Sequence, residues 1–341
     1  RSTCSSVAQP LGLPGQGAFL CTLRRRLMHA HIIYENDDWM PPLRAALHAA
    51  DVPYDEWFIH EGHFDVTEAP PNGVFLNRMS ASSRTRGHAA SVEHTRQLLA
   101  WLERHDRRVI NGLHAFELEI SKVQQHAALE QAGLRTPATR AVAGGPEALV
   151  AAAKDFPTPF ITKHNRGGKG LGVQLFRTVE AFEAAVKAGD WTPPPARITL
   201  LQQYIEAAEP FITRCEFVDG TLQYAITSDT SDGFELCPAD ACRTDAERCA
   251  IDGDASLFAL REDVPADLID RYTRFLRREQ IDIAGIEFIE DAEGRCWTYD
   301  INGTTNYSPE VEDKHGLSGM AAVADLLQRE LERAATAPAS A

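Results

Sequence analysis

No apolar run in this sequence approaches the length needed to span a bilayer, so a helical membrane-spanning protein is excluded and no membrane partner is expected. No internal repeat recurs along the 341 residues, which argues against solenoids and propellers. Basic residues are in deficit, 34 against 49 acidic, for a net charge of −15. Phosphate neutralisation dominates nucleic-acid affinity, so a general nucleic-acid binder is not expected. Any anion site has to be a local basic cluster. The seven cysteines form no regular framework: "CPADAC" sets Cys237 and Cys242 five apart, with Cys249 beyond. Zinc sites use tighter C-x-x-C pairs with a second pair, so reduced thiols in a cytoplasmic protein are the expected state. Acids are absent from residues 1 to 34 although the rest is acidic. Residues 1–27 read as a non-domain leader (a transit-type peptide, a cloning remnant or upstream translated sequence), with a domain starting at Met28.

What is present supports two or three domains with sizeable cores, since 44% of the chain is hydrophobic. The local basic cluster is "KHNRGGKGLGVQLF", residues 163–176. A P-loop would need glycine at Lys163 and Ser or Thr at Gly170. A dinucleotide turn would need glycine at Val173, and both templates need a helix to follow. Here strand-like "TPFITK" precedes and "GVQLF" follows, so the segment reads as strand–loop–strand. A phosphate loop and an ordinary glycine-rich hairpin both fit that reading.

From Met28 the pattern alternates: "HAHIIY" as a strand, "PPLRAALHAA" as a helix with Leu43, Ala46, Leu47 and Ala50 on one face, then strands "YDEWFI" and "GVFLNR". Residues 89–105 are expected to be helical, with Val92, Leu99 and Leu102 in register, and "RRVIN" a further strand. Such alternation implies a parallel α/β sheet, ending near residue 120. Ser121 and Gln124 form a capping box that opens the next helix, and Gly133 and Pro137 stop it. Two strand–helix–strand units and the glycine loop run to the Pro-rich "WTPPPAR". Strands "ITLLQQYI", "FITRCEFVDGTLQYAIT", "IAGIEFIED" and "RCWTYDING" follow, with turns at Asp219-Gly220 and around Glu293-Gly294. A last helix over 317–333 carries Val323, Leu327 and Leu331 on one stripe, and the tail "AATAPASA" frays.

In "GIEFIEDAEGRCWTYDINGTTNY" two strands form a hairpin. Asp300 and Asn302 are two apart and project from one face, and Glu287 can lie opposite. Two carboxylates and an amide oxygen suit Mg2+ or Mn2+ bridging nucleotide phosphates. The competing reading is a hairpin of solvent-facing acids, which Glu290, Asp291 and Glu293 fit well.

The order of these pieces is a Lys at a helix start, a Lys before a glycine loop, a "QQYI" hinge, an Arg on the next strand, an acid, then D-x-N. It resembles the ATP-grasp superfamily, and within it the RimK-type, α-L-glutamate ligase-like carboxylate–amine ligases, over residues 73–335. The resemblance implies an α/β chain: a parallel pre-ATP-grasp domain at 28–120, an ATP-grasp N-terminal subdomain with flap at 121–200, and a C-terminal subdomain with antiparallel sheet and metal site at 201–335. It implies that Lys122 and Lys163 hold ATP phosphates, and that Gly167, Gly168, Lys169 and Gly170 belong to a closing flap. Gln202, Gln203, Tyr204 and Ile205 match the adenine hinge. Arg214 matches the residue that contacts the transferred phosphoryl group, and Glu287, Asp300 and Asn302 match the metal ligands. The implied reaction joins a carboxylate to an amine through an acyl phosphate, releasing ADP, with acid and amine (amino acid or small peptide) as substrates. Families of this kind are often dimers or tetramers.

Three features depart from that pattern. A ribose-binding Asp is replaced by Ile212, with Glu209, then Glu206, as the nearest substitutes. An Arg-x-Asn segment is not recognisable in "FELCPADACR", where Arg243 could compensate, and the first metal ligand is Glu287 rather than Asp. Substrate carboxylates have candidate partners in Arg78, Arg84 and Arg86 after a strand end, with Asn306 beyond the metal residues; a solvated basic loop is the alternative. The rival functions are an ATP-grasp phosphotransferase and a non-catalytic nucleotide-binding module.

Overall fold

The computed structural model describes residues 28–166, 173–190, 198–230 and 258–336. The leader, Gly167, Gly168, Lys169 and Gly170 of the flap, the Pro-rich connector, Cys237, Cys242, Cys249, Arg243 and the last five residues lie outside the described residues.

Strands β1 (His29–Tyr34) and β3 (Gly73–Arg78) are almost wholly buried, as strands covered on both faces must be. With β2 (Tyr54–Phe58) and β4 (Arg108–Ile110) they form a parallel sheet of order β2-β1-β3-β4. Helix α1 (Pro41–Ala49) starts on its two prolines and buries Leu43 and Leu47. Helix α2 (Ser91–Arg104) buries Val92, Leu99 and Leu102, the stripe expected from their spacing. The chain leaves β1 for β2 on one side and returns to β3 on the other. The carboxyl ends of β1 and β3 therefore flank a topological switch point.

Helices α3 (Leu113–Glu119) and α4 (Lys122–Gln131) lead out of this sheet. The Ser121 hydroxyl accepts from the Gln124 amide at 3.4 Å, as the capping box requires, and Gly133 takes φ 72° past the end of α4. The next sheet contains β5 (Thr139–Ala143), β6 (Phe160–His164), β7 (Gln174–Phe176) and β8 (Ile198–Gln203) in the order β5-β8-β6-β7. Helix α5 (Pro146–Ala153) joins β5 to β6, and α6 (Val179–Ala188) joins β7 to β8. Each unit inserts its strand between those of the other, so every neighbouring pair is antiparallel. Phe160, Phe176 and Leu201 of the sheet pack under the two helices, against Leu149 of α5 and Phe182 of α6.

The third sheet, β11-β10-β9-β12-β13, is built from β9 (Phe211–Val218), β10 (Thr221–Asp229), β11 (Phe258–Leu260), β12 (Ile283–Glu290) and β13 (Cys296–Asn302). Positive φ at Asp219 (52°) and Gly220 (69°) makes the tight β9–β10 turn expected from that dipeptide. Helix α7 (Ala266–Arg278) covers one face, with Tyr272 and Phe275 against Cys215, Phe217, Ile286 and Phe288. The short α8 (Pro309–His315) precedes α9 (Gly319–Thr336). In α9, Val323, Leu327 and Leu331 enter a core shared by β1, β3 and α1 of the first sheet and by Val218 and Ile283 of the third. The last helix thus ties the first sheet to the third.

Candidate active site

Strand register assembles the site. Glu287 on β12 stands opposite Arg214 on β9 and opposite Asp300 on β13. One step along the same face, Gly285 stands between Glu216 and Asn302. A bulge after Glu287 re-aims β13, so Tyr299 reaches back and donates to Glu287 Oε2 at 2.8 Å. Glu287, expected opposite both Asp300 and Asn302, pairs in register with Asp300, whereas Asn302 stands opposite Gly285 and reaches Glu287 through its amide, which donates to Oε1 at 3.3 Å.

The acids are not solvent-facing. Arg214 donates through Nη1 to Glu287 Oε1 at 2.9 Å and through Nε to Glu216 Oε1 at 2.6 Å. Lys122, in the first turn of α4, reaches Asp300 Oδ1 at 2.5 Å. Burial pushes the Asp300 carboxyl up, but Lys122 and Lys163 outweigh it and hold it below the usual carboxylate range. For Glu287 burial wins over Arg214, and its carboxyl is raised. Glu290, Asp291 and Glu293 separate from this group: Glu290 pairs with Arg261, and Asp291 and Glu293 with Arg295 at the turn.

Lys163, on β6, is 6% exposed. Burial first, then Lys122, lower its ammonium to about 7. The start of α4 is fastened beside it, since Asn165 Oδ1 accepts from the Val123 amide at 2.9 Å and the Asn165 carbonyl from the Lys122 amide at 3.2 Å. The two lysines thus face the acidic row, Lys122 from the start of α4 and Lys163 from β6 of the neighbouring sheet. Gln125 closes the seam, donating to the Ile301 carbonyl at 2.7 Å.

At the hinge, Gln202 and Ile205 are buried. The Gln202 amide reaches His126 Nε2 at 2.6 Å and Thr139 Oγ1 at 2.9 Å. The Gln203 amide donates to Ala138 and the Tyr204 amide to Pro159. Glu206 and Glu209 are exposed at the strand end, and Ile212 lies on β9. Arg78 and Asn306 meet each other: the guanidinium donates to Asn306 Oδ1 at 2.7 Å and to the Thr305 carbonyl at 3.4 Å, and is 5% exposed. Arg84 is exposed on a short 3₁₀ helix, and Arg86 pairs with buried Glu35.

Sequence reasoning missed Glu216, His126 and Asn165. Glu216 carried a usable signal, standing two residues from Arg214 on one strand and so on the same face. His126 lies one turn from Lys122, and burial followed by the two lysines lowers its imidazole to about 3, leaving it neutral. A helical reading of "SKVQQHAAL" sets Lys122 and His126 on one face.

A Mg2+ ion fits this donor set by chemistry: two carboxylates in register on adjacent strands and an amide oxygen two residues along, all hard oxygens. Among the described residues no group of three or more His, Cys, Asp or Glu side chains is placed to hold a metal, so water and phosphate oxygens would complete such an ion's shell.

A parallel α/β sheet, an interleaved antiparallel sheet and a second antiparallel sheet, with lysines and acids facing one another between the last two, define the ATP-grasp fold. Solved structures agree. The chain is similar to a RimK domain ATP-grasp protein from Sphaerobacter thermophilus DSM 20745 (TM-score 0.59, 17% identity, covering 87% of this chain and 99% of that one). It is also similar to D-alanyl-alanine synthetase A from Vibrio cholerae O1 biovar eltor str. N16961 (TM-score 0.63, 11% identity, 89% and 99%). A third likeness is to the ATP-grasp ligase PsnB, solved with a minimal precursor, Mg and ADP (TM-score 0.61, 14% identity, 89% and 97%). No family model and no curated protein matches the sequence. Among the described residues no helix is long and apolar enough to cross a membrane.

Proposed function

We propose that the protein is an ATP- and Mg2+-dependent ligase that joins a carboxylate to an amine through an acyl phosphate, releasing ADP and phosphate. The observation that carries this reading is the in-register row Arg214–Glu287–Asp300 facing Lys122 and Lys163. A nucleotide between the sheets would meet lysine ammoniums at its phosphates and the hinge 202–205 at its base. Lys163 and Lys122 offset phosphate charge as point cations, and Arg214 presents planar donors to the transferring phosphoryl group. A bound Mg2+ supplies charge neutralisation at the phosphate oxygens, held by Glu287, Asp300 and Asn302. The substrate carboxylate oxygen attacks the γ-phosphorus and ADP leaves; the amine then attacks the acyl carbon, phosphate leaves, and the amine gives up a proton. Positioning and electrostatics provide most of the acceleration in phosphoryl transfer. We read the substrates as amino acids or small peptides, and the Arg78–Asn306 pair at the switch point as part of their pocket. The similar solved proteins support this breadth: PsnB is solved with a precursor peptide, and another is a D-alanyl-alanine synthetase.

The test is ADP release over a panel of amino acids and small peptides. The expected result is turnover that needs both an acid and an amine and is abolished by Asp300→Ala with Asn302→Ala. A stable phosphorylated acid formed without amine would instead identify a phosphotransferase, and ATP binding without turnover a nucleotide-binding module.

A further inference from the structure

Gly285 stands in the middle of β12, where a glycine weakens a strand and calls for a reason. Backbone conformation is not the reason, because Gly285 does not take a positive φ. The β12–β13 bulge is not the reason either, since it falls after Glu287. What fills the space is Arg214. A methyl group at 285 would lie 2.3 Å from Arg214 Nη2, 2.5 Å from Cζ and 2.6 Å from Nε. The guanidinium therefore rests on the bare Cα, and real Cβ contacts almost never come inside 3.0 Å.

We propose that Gly285 is a positioning residue, preserving by its missing side chain the one orientation in which Arg214 bridges Glu216 and Glu287. Arg214 is 8% exposed, with Nε committed to Glu216 and Nη1 to Glu287. Its third nitrogen, Nη2, donates to no protein group among the described residues, and is the nitrogen left for an anionic ligand. A side chain at 285 displaces all three nitrogens together, so both ion pairs and the free donor are lost from their places. Removing one member of a buried ion pair strands the other charge, so the displacement is not absorbed at low cost. The kinetic consequence rests on the ligase reading; the geometric one does not.

The experiment compares Gly285→Ala, Arg214→Lys and the double variant with the parent, all as full chains. The Arg214 Nε–H resonance is assigned by its loss in Arg214→Lys. Gly285→Ala is expected to shift that resonance and lower the melting temperature. With the acid–amine pair found by the panel, kcat for ADP formation should fall by about 10²-fold, as for a misplaced anion donor, with the KM for ATP nearly unchanged. In the Arg214→Lys background the same Ala should cost little, because no guanidinium remains to displace. That comparison also decides the case if Gly285→Ala alone fails to fold. An unmoved Arg214 resonance with parental melting overturns the proposal, and so does an equal loss of melting temperature in both backgrounds. If no acid–amine pair is found, the ligase reading falls, and the resonance and melting data still decide the role of Gly285.

Discussion

Lys163 holds a positive charge where charge is costly, and this gives it a pH signature. Its ammonium is lowered to about 7 from the ordinary 10.5, first by burial and then by Lys122. Between those values the unfolded chain binds a proton that the folded chain has released, so Lys163 makes stability rise with pH across that window. A phosphate oxygen beside it reverses the preference, because the charged form then gains a partner. ATP binding with Mg2+ at about pH 8.5 should therefore take up protons, measurable by calorimetry in two buffers of different ionisation heat. Lys163→Met should remove that uptake and weaken ATP by about 2 kcal/mol, roughly thirtyfold. Binding without proton uptake in the parent would remove Lys163 from the phosphate site. Glu119 has the opposite sign. Burial raises its carboxyl to about 7, although the Gly303 and Ala81 amides donate to it. The folded chain then holds a proton that the unfolded chain loses between about 4.5 and 7, so stability falls as pH rises there. Glu119→Gln should flatten the melting temperature across that range; an unchanged slope would assign it to other groups.

Elements are legible wherever a period or a cap marks them. The apolar runs of β1 and β3, the stripe of α2, the Ser121 cap and the alternation Asp300–Ile301–Asn302 all follow from local rules, and the structure places them so. What stays hidden depends on pairing between distant strands. The sequence shows two strand–helix–strand units, but nothing local says that β8 enters between β5 and β6. Gly285 looks ordinary until β9 is laid beside β12, which brings the Arg214 guanidinium over it. Helix α7 is legible too: Leu268, Tyr272, Phe275 and Leu276 recur at i, i+4, i+7 and i+8 with charged residues on the other face, a signal that sequence reasoning missed. Helix α9 is legible as a stripe, while its partners, the first sheet and the third together, are not. That partnership makes a prediction. Leu327 is fully buried between them, so Leu327→Ala should cost about 3 kcal/mol. The loss should appear as a shift of one transition seen both by near-ultraviolet circular dichroism and by tryptophan fluorescence. Two separate transitions would mean that the first sheet folds apart from the third.

At the scale of the molecule, two seams hold the parts in place. Arg108 and Asn111, at the end of the first sheet, grip Asp282 and Ile283 at the start of β12. Lys122 and Gln125 on α4 grip Asp300 and Ile301 on β13. The first seam uses no side chain of the acidic row, although Asn111 also donates to the Gly303 carbonyl, next to Asn302, at 2.8 Å. The second uses the very lysine and carboxylate that a nucleotide and its metal would claim. On the proposed reading, ligand binding would exchange the direct Lys122–Asp300 contact for contacts to the ligand and would hold α4 and β6 to the third sheet more firmly than the protein does alone. A ligand that binds only the folded state stabilises it by about 2.7 kcal/mol at a hundredfold excess over Kd. For a chain of this size that is a rise of several degrees in melting temperature. ATP with Mg2+ should give the full rise, and ATP with a chelator a smaller one. Asp300→Ala with Asn302→Ala, measured against its own ligand-free melting, should make the two conditions alike. Equal rises with and without Mg2+ in the parent would show that the two carboxylates and the amide hold no metal, and that the row serves only to anchor Lys122 and Arg214.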